Sequence, residues 1–304
     1  MDIEKMLEKC ILCPRKCGVN RTNGSTGACH TGEKVRVSRA ALHMWEEPCI
    51  SGENGSGAVF FSGCALGCCF CQNKDISRGR AGKEISIERL CNIFFELMDK
   101  GANNINLVTP DHYIPQIVSA IDVARKRNFH LPFVYNCSGY ETADMILMLD
   151  GYIDVYLPDF KFMSPEIASR YCNTPDYASY AKQSIAEMVR QCGGAKTNFN
   201  QYGIMQKGVI VRHLQLPGHI ADSKSVITYL YNTYGDDIYI SIMNQYTPME
   251  GIEEDFPELG HKIAPEEYDE LVDYAIDIGV ENGFIQEGDT ADESFIPAFD
   301  NEGV

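Results

Sequence analysis

From about residue 57 onward, short β-branched or aromatic runs alternate with segments whose apolar positions recur every three to four residues. This is the pattern of successive βα units feeding a parallel sheet. Ala58 to Ser62 (AVFFS) reads as the first strand. Across Ser86 to Lys100, Ile87, Leu90, Cys91, Phe94, Phe95 and Met98 fall at i, i+3, i+4, i+7, i+8 and i+11, which predicts a helix with Cys91 on its core face. The next units are a strand at Asn104 to Val108 with a helix from Ile114, and a strand at Pro132 to Asn136 with a helix at Glu141 to Leu149. A fourth strand, Ile153 to Leu157, precedes Ser164-Pro165-Glu166, a cap and helix start. Gly208 to Leu214 and Asp237 to Met243 are the last two strands, followed by a helix from Pro265 to Ile278.

Six such units are too few to close an eight-stranded barrel of about 250 residues. The fold class expected is therefore α/β, a partial (β/α)6 TIM-like barrel over 51–250. A Cys-rich, metal-binding head over 1–50 precedes it, and an acidic helical extension over 251–304 follows. In parallel sheets the chemistry sits at the carboxyl ends of the strands. The residues to inspect are thus Gly63-Cys64, Thr109 to His112, Asn136 to Glu141, Pro158 to Lys161, Gln215 to His219 and Asn244 to Tyr246.

Composition sharpens this picture at one point, the 13 cysteines in 304 residues, ten of them before residue 92. The start, Met1-Asp2-Ile3-Glu4, has no basic n-region or apolar stretch, and no run approaches the ~20 apolar residues of a membrane span. A cytoplasmic location is the expectation. Thiols there stay reduced, so a dense cysteine set points to metal or catalytic use rather than disulfides. The formal charge of −17 disfavours a polyanion-binding surface, and Arg78, Arg80 and Lys83 make no basic patch. Neither nucleic acid nor membrane is expected as a partner. The acidic residues from Glu250 onward read as a solvated face.

Directly after the first strand, GCALGCCFCQN spaces Cys64, Cys68 and Cys71 as C-x3-C-x2-C. Three thiolates on one loop hold three irons of a four-iron cluster and leave the fourth iron open. The competing reading is a zinc knuckle completed by a fourth ligand, Cys69, although adjacent cysteines point apart. Cys69 is otherwise a small packing residue.

This spacing, with Phe70 before the last cysteine, resembles the signature of the radical S-adenosylmethionine (SAM) superfamily. The resemblance implies a 4Fe-4S cluster whose open iron chelates SAM, and reductive cleavage to a 5′-deoxyadenosyl radical inside a partial barrel. It also implies that Phe70 packs on the adenine. Further along, VTP, YN, YLPDFK, RHLxLPG and MNQY make the chain similar to the pyruvate formate-lyase activating enzyme-like subgroup of iron-sulfur proteins. Thr109-Pro110-Asp111-His112 stands where that group has Gly-Gly-Glu, so Thr109 and Asp111 are expected to supply acceptors for the SAM amino group. Asn136-Cys137-Ser138-Gly139 stands for its Thr-Asn-Gly turn. Asp159 and Lys161 match its Asp-x-Lys, near ribose or substrate, and Arg212 and His213 its fifth-strand segment. Each has a plainer reading: His112 as a turn residue, Asp159 with Lys161 as an exposed ion pair, His213 as a hydrogen-bonded core residue.

A second set, Cys10-x2-Cys13-x3-Cys17-x11-Cys29, offers four soft ligands, with His30 in reserve. Four ligands close a tetrahedral site, which makes structural zinc or mononuclear iron the expectation ahead of an accessory iron-sulfur centre. Cys49, Cys69, Cys137, Cys172 and Cys192 receive no ligand role, and Cys137 alone among them lies near a proposed active-site loop.

The function expected is hydrogen abstraction by a radical SAM enzyme, as an activase of a glycyl-radical protein. Its partners would be a one-electron reductant such as flavodoxin or ferredoxin and a protein substrate. Two alternatives stand beside it. One is the same chemistry on a small molecule or peptide; the other is a non-catalytic iron-sulfur or zinc protein for electron transfer or binding.

Overall fold

A computed structural model describes residues 3–286 and 297–304. Its central sheet runs in the order β10-β9-β8-β6-β5-β4-β2-β1-β3. The strands are β1 Val35–His43, β2 Ser56–Phe61, β3 Lys83–Ile85, β4 Ile105–Val108, β5 Phe133–Cys137, β6 Val155–Pro158, β7 Asn198–Phe199, β8 Met205–Leu214, β9 Tyr239–Met243 and β10 Gly283–Ile285. From β2 through β10 the path is parallel, while β1 and β3 add antiparallel strands at one end. Strands β10 and β3 do not pair, so the sheet is the open α/β barrel expected.

The main helices are α1 Ile87–Asp99, α2 Ile114–Lys126, α3 Pro165–Cys172, α4 Tyr177–Cys192, α5 Ile220–Tyr234 and α6 Pro265–Asp277. The Ser86 hydroxyl caps α1 by accepting the Arg89 N–H at 3.0 Å, and α1 buries Leu90, Cys91, Ile93, Phe94 and Leu97. Ser164 caps α3 in the same way, with Pro165 in its first turn.

Side chains alternate across the strands with a period of two. Val59, Phe61, Leu107, Tyr135, Tyr156, Val211 and Ile242 join the core against the helices. Val134, Val155, Leu157 and Ile210 form a separate concave cluster. That cluster is completed by Cys49 and Ile50 from the turn Pro48–Ser51, whose backbone is held by Asn104 Nδ2 on the Ile50 carbonyl at 2.8 Å and Asn103 Nδ2 on that of Ser51 at 2.6 Å. Residues 46 and 47 are thereby carried into the barrel.

Three features differ from the sequence reading. A seventh parallel strand, β10, extends the six, because three residues in an acidic segment show no alternation. The stretch 1–50 is not a separate head, since β1 is part of the sheet. Its arginines obscured that, and they are satisfied at the sheet margin: Arg36 donates to the Gly79 and Gly82 carbonyls, and Arg39 to that of Ala298. The extension 251–304 is only partly helical. It contains β10 and a tail at 297–304 that runs beside β1, with Ala40 N–H on the Glu302 carbonyl at 2.8 Å and Phe299 edge-on to Phe60. Met1, Asp2 and residues 287–296 lie outside the described residues. Among the described residues no helix is long and apolar enough to cross a membrane.

Candidate active site

The cysteine loop leaves β2 through Gly63, whose φ of +92° is one that glycine alone adopts at low cost. A Cβ there would lie 2.4 Å from both the Cys29 carbonyl and the Thr31 methyl, so the N-terminal segment is packed directly on the loop. Ser62 just before it is held by His112, whose Nε2–H donates to the Ser62 carbonyl at 2.7 Å. His112 is therefore a turn residue after Pro110, as its plainer reading had it, and a buried one that braces the loop.

Cys64, Cys68 and Cys71 line one cavity of about 200 Å³, together with Phe70. Its other walls come from the strand ends: Thr109 after β4, Asn136 and Ser138 at the end of β5, Asp159 and Lys161 after β6, and Arg212 in β8. Thr109 sits at φ +57°, a left-handed conformation uncommon for a β-branched residue and concentrated at functional sites. Phe70 packs edge-on against Phe162, Tyr171 and Tyr246.

The polar floor is a closed ionic network. Asp159 accepts from Lys161 Nζ at 2.6 Å and from Arg212 Nε at 3.0 Å. Arg212 also donates to Glu46 at 3.1 Å and to the Asn136 side-chain oxygen at 2.5 Å. Glu46 in turn accepts from the Asn106 and Asn136 amides at 2.8 and 3.3 Å. The Asp159 and Lys161 side chains are only 13% and 14% exposed, which replaces the surface ion pair with a buried one. Burial alone would raise the Asp159 carboxyl, but Lys161 and Arg212 outweigh it and hold it below the usual carboxylate range. Glu46 is pushed up by burial, a rise that Arg212 partly restrains.

Burial pushes the Cys64 thiol well up, with nearby Asp111 adding to the rise, and it raises Cys71 as well. Such thiols are poor free nucleophiles, and metal coordination is what deprotonates them. Cys68 is lowered, chiefly because the Cys172 thiol donates to its sulfur. Cys137, the one unassigned cysteine expected near an active-site loop, lines the cavity.

Among the described residues no three His, Cys, Asp or Glu side chains are gathered closely enough to hold one metal ion. Zinc, with Zn–S bonds of about 2.3 Å, would need sulfurs about 4 Å apart. A four-iron cluster takes each thiolate on a different iron and needs no such convergence. The loop's three thiols around an open cavity fit a cluster with one open iron. SAM fits the same cavity chemically, with hydroxyl, amide and charged groups beside an aromatic face. Cys69 stays outside this set; its N–H bonds the Tyr171 carbonyl at 2.9 Å, and burial pushes its thiol up to about 11.

The N-terminal quartet is not assembled. Cys10, Cys13 and Cys29 are buried, whereas Cys17 is exposed and its sulfur accepts the Ala28 N–H at 3.3 Å. His30 is exposed as well. The four thiols expected to close a zinc or iron site are here divided between three buried positions and an exposed Cys17.

Two predicted cofactor residues lie away from the cavity wall. Asp111 is buried under the loop with neither carboxylate oxygen hydrogen-bonded. His213 faces away from the cavity, its Nδ1 on the Phe160 carbonyl at 2.8 Å, and burial lowers its pKa so that it is neutral. Sequence reasoning missed Glu46, which no spacing connects to Arg212.

The Radical SAM superfamily model matches residues 58–200. An uncharacterized protein of Methanocaldococcus jannaschii, MJ0674, is 27% identical over 279 residues, covering 90% of this chain and 75% of that protein. Among solved structures, SuiB of Streptococcus suis bound to S-adenosylmethionine aligns with 75% of this chain at 13% identity and a TM-score of 0.48. The alignment takes in 49% of SuiB, so the chain spans about half its length. Methylornithine synthase (PylB) aligns with 79% of this chain and 63% of its own at 15% identity and a TM-score of 0.47. The matched segment 58–200 carries the Cys64–Cys68–Cys71 loop and most of the cavity lining, while Arg212, Leu214 and Tyr246 lie beyond it.

Proposed function

We propose that this protein is a radical SAM enzyme whose Cys64, Cys68 and Cys71 hold a 4Fe-4S cluster and whose cavity binds SAM. The observation that carries the reading is the single cavity shared by three thiols of one loop and the polar strand ends. Held there, a cluster with an open iron would supply the chemistry of reductive SAM cleavage to methionine and a 5′-deoxyadenosyl radical, its electron coming from an external reductant. Phe70 would shield the adenine, and Thr109, Asn136 and Ser138 would orient the amino acid and ribose. Lys161, held by Asp159, would present its remaining N–H groups to a carboxylate, while Arg212, bonded to Asp159, Glu46 and Asn136, ties the floor together. The buried aromatic cluster around Phe70 limits water at the site.

The substrate class we infer is a protein glycine, making the chain an activase of a glycyl-radical enzyme. The motif set from VTP to MNQY supports this, and a flavodoxin or ferredoxin would serve as reductant. Anaerobic reconstitution should give about four irons and reductant-dependent 5′-deoxyadenosine. A Cys64→Ala variant that still formed it would refute the chemistry. The activase role requires a glycyl-radical electron paramagnetic resonance (EPR) signal when the candidate partner is added. Deoxyadenosine formation with a small molecule or peptide but no such signal would move the substrate to that class.

A further inference from the structure

We propose that the concave side of the barrel carries a second binding site beside the cavity, an apolar seat flanked by Arg39. It takes an extended polypeptide with an aromatic residue followed by acidic ones, and the chain's own tail, 297–304, is the ligand seated there. The proposal goes beyond the radical SAM reading and takes from it only the identity of the neighbouring cavity. Its first observation is register. Phe60 of β2 pairs with Val108 of β4, and Val108 with Asn136 of β5, so the three lie in one row across the concave face. Val108 and Asn136 line the cavity. At the β2 end of that row, Phe299 sits edge-on to Phe60, with ring centroids 5.6 Å apart. Together with Ala81 and Val108 it packs on a small apolar cluster of Ala58, Phe60 and Ile76, separate from the helix-side core.

Seat and tail differ in how they are held. Ala58 and Phe60 belong to the sheet, and Ile76 to the turn Lys74–Ser77 that follows the cysteine loop, so the seat persists without its occupant. The tail lies along β1, where Ala40 N–H donates to the Glu302 carbonyl at 2.8 Å and Asn301 N–H to the Ser38 carbonyl at 3.0 Å. Arg39 pairs with Asp300 at 3.1 Å and with Glu302, and Arg89 donates to the Gly303 carbonyl at 3.0 Å. Every tail residue keeps part of its surface exposed. Ion pairs at such a surface hold weakly and are screened by salt, so the tail can exchange. A ligand that reproduces these contacts needs main-chain groups for the strand edge, one aromatic ring, and carboxylates one and three positions after it. Those are the properties of a polypeptide laid along a sheet edge. Protection of the β1 edge accounts for the backbone bonds, but not for a ring carried into the barrel beside the cavity wall.

The test is fluorescence anisotropy of a labelled octapeptide with the sequence Pro297 to Val304, titrated with the full chain reconstituted anaerobically. Phe299→Ala empties the seat. Gly303→Ala lifts the tail off β1 and leaves every seat residue in place, because a Cβ there would collide with the Ala40 carbonyl. Both variants are freed of a competitor whose effective concentration is on the order of 1 mM, so each should bind the peptide at least about tenfold tighter than wild type. The peptide carrying Phe299→Ala should bind none of the three chains, and the one carrying Asp300→Asn and Glu302→Gln should bind more weakly than the intact peptide. Folded variants that bind no better than wild type, or that do not distinguish the peptides, would overturn the proposal. If Phe299→Ala does not fold, Gly303→Ala decides alone. Peptide binding as expected by a chain that takes up no iron would support the seat and overturn the radical SAM reading.

Discussion

Replacing Asp159 by Asn tests whether the cavity floor is held by charge. The carboxylate faces Lys161 Nζ at 2.6 Å and Arg212 Nε at 3.0 Å, in a setting where all three side chains are less than 15% exposed. At an effective dielectric of about 20, each contact is worth about 6 kcal/mol of direct attraction. Desolvation of the three ions offsets most of that gain. The loss on mutation is dominated by the two cations left facing a neutral amide, a change that costs about 3–5 kcal/mol. Urea unfolding of wild type, Asp159→Asn, Lys161→Met and the double variant at pH 7 gives the coupling directly. Removing Lys161 should relieve part of the Asp159→Asn defect, with a coupling of at least about 1.5 kcal/mol. The pH dependence follows from the lowered carboxyl. Its stabilisation is fully present above the unfolded carboxyl value and is lost only as pH falls through the still lower folded one. The gap between wild type and Asp159→Asn should thus stay constant from pH 7 to pH 5. A gap that closes in that window, or a coupling under about 0.5 kcal/mol, would refute the ionic account.

Glu141 behaves in the opposite sense. Burial, then Asp111, pushes its carboxyl up from 4.5 to about 8, so folding takes up a proton across that window and stability falls as pH rises through it. Glu141→Gln should lack this slope and gain on wild type between pH 5 and pH 8, by up to about 3–5 kcal/mol at about 1.4 kcal/mol per unit. Parallel stability curves would show the carboxyl to be ionised throughout. At the N-terminal set, Cys17 is exposed and only its sulfur-to-Ala28 contact is lost on truncation. Cys17→Ala should therefore change stability by no more than about 0.5 kcal/mol and leave metal content at the wild-type level. Loss of one bound metal in that variant would restore a closed four-thiolate site.

The parts of the fold legible in the sequence were those with a strong period and a clean cap. The α1 stripe from Ile87 to Met98 and the Ser164-Pro165 start of α3 are local signals, and both elements lie within a residue or two of the reading. Strand β1 was not legible because Arg36 and Arg39 break its apolar run, and their partners at Gly79, Gly82 and Ala298 are distant in the chain. The cysteine triplet is a local pattern and could be read directly. Its surroundings are non-local: Glu46 meets Arg212 across 166 positions, and Arg15 meets Cys172 across 157. No spacing rule reaches that far. Asp111 follows β4 and His213 lies at the last turn of the pleat in β8, where site residues occur, yet both side chains are buried away from the cavity. Position along a parallel strand indicates which end of the barrel a residue occupies, but a shift of one place decides whether it faces the cavity or the helices.

The N-terminal 50 residues read as a metal-binding appendage, but the structure makes them part of the active-site scaffold. Strand β1 pairs with β2, the strand that launches the cysteine loop. The Cys29 carbonyl and Thr31 methyl sit where a side chain at Gly63 would have to go. The Pro48–Ser51 turn fills the concave side and delivers Glu46 to Arg212. A chain lacking this segment would expose β2 as an edge strand, open a cavity behind Val134 and Ile210, and leave Arg212 short of one anion. Each loss is of a kind that destabilises by kilocalories. A detachable module makes few contacts across its boundary. Cys10, Cys13 and Cys29 are buried within this scaffold. The same segment brings Arg15 onto the Ala65 and Leu66 carbonyls of the loop and the Cys29 carbonyl onto Gly63.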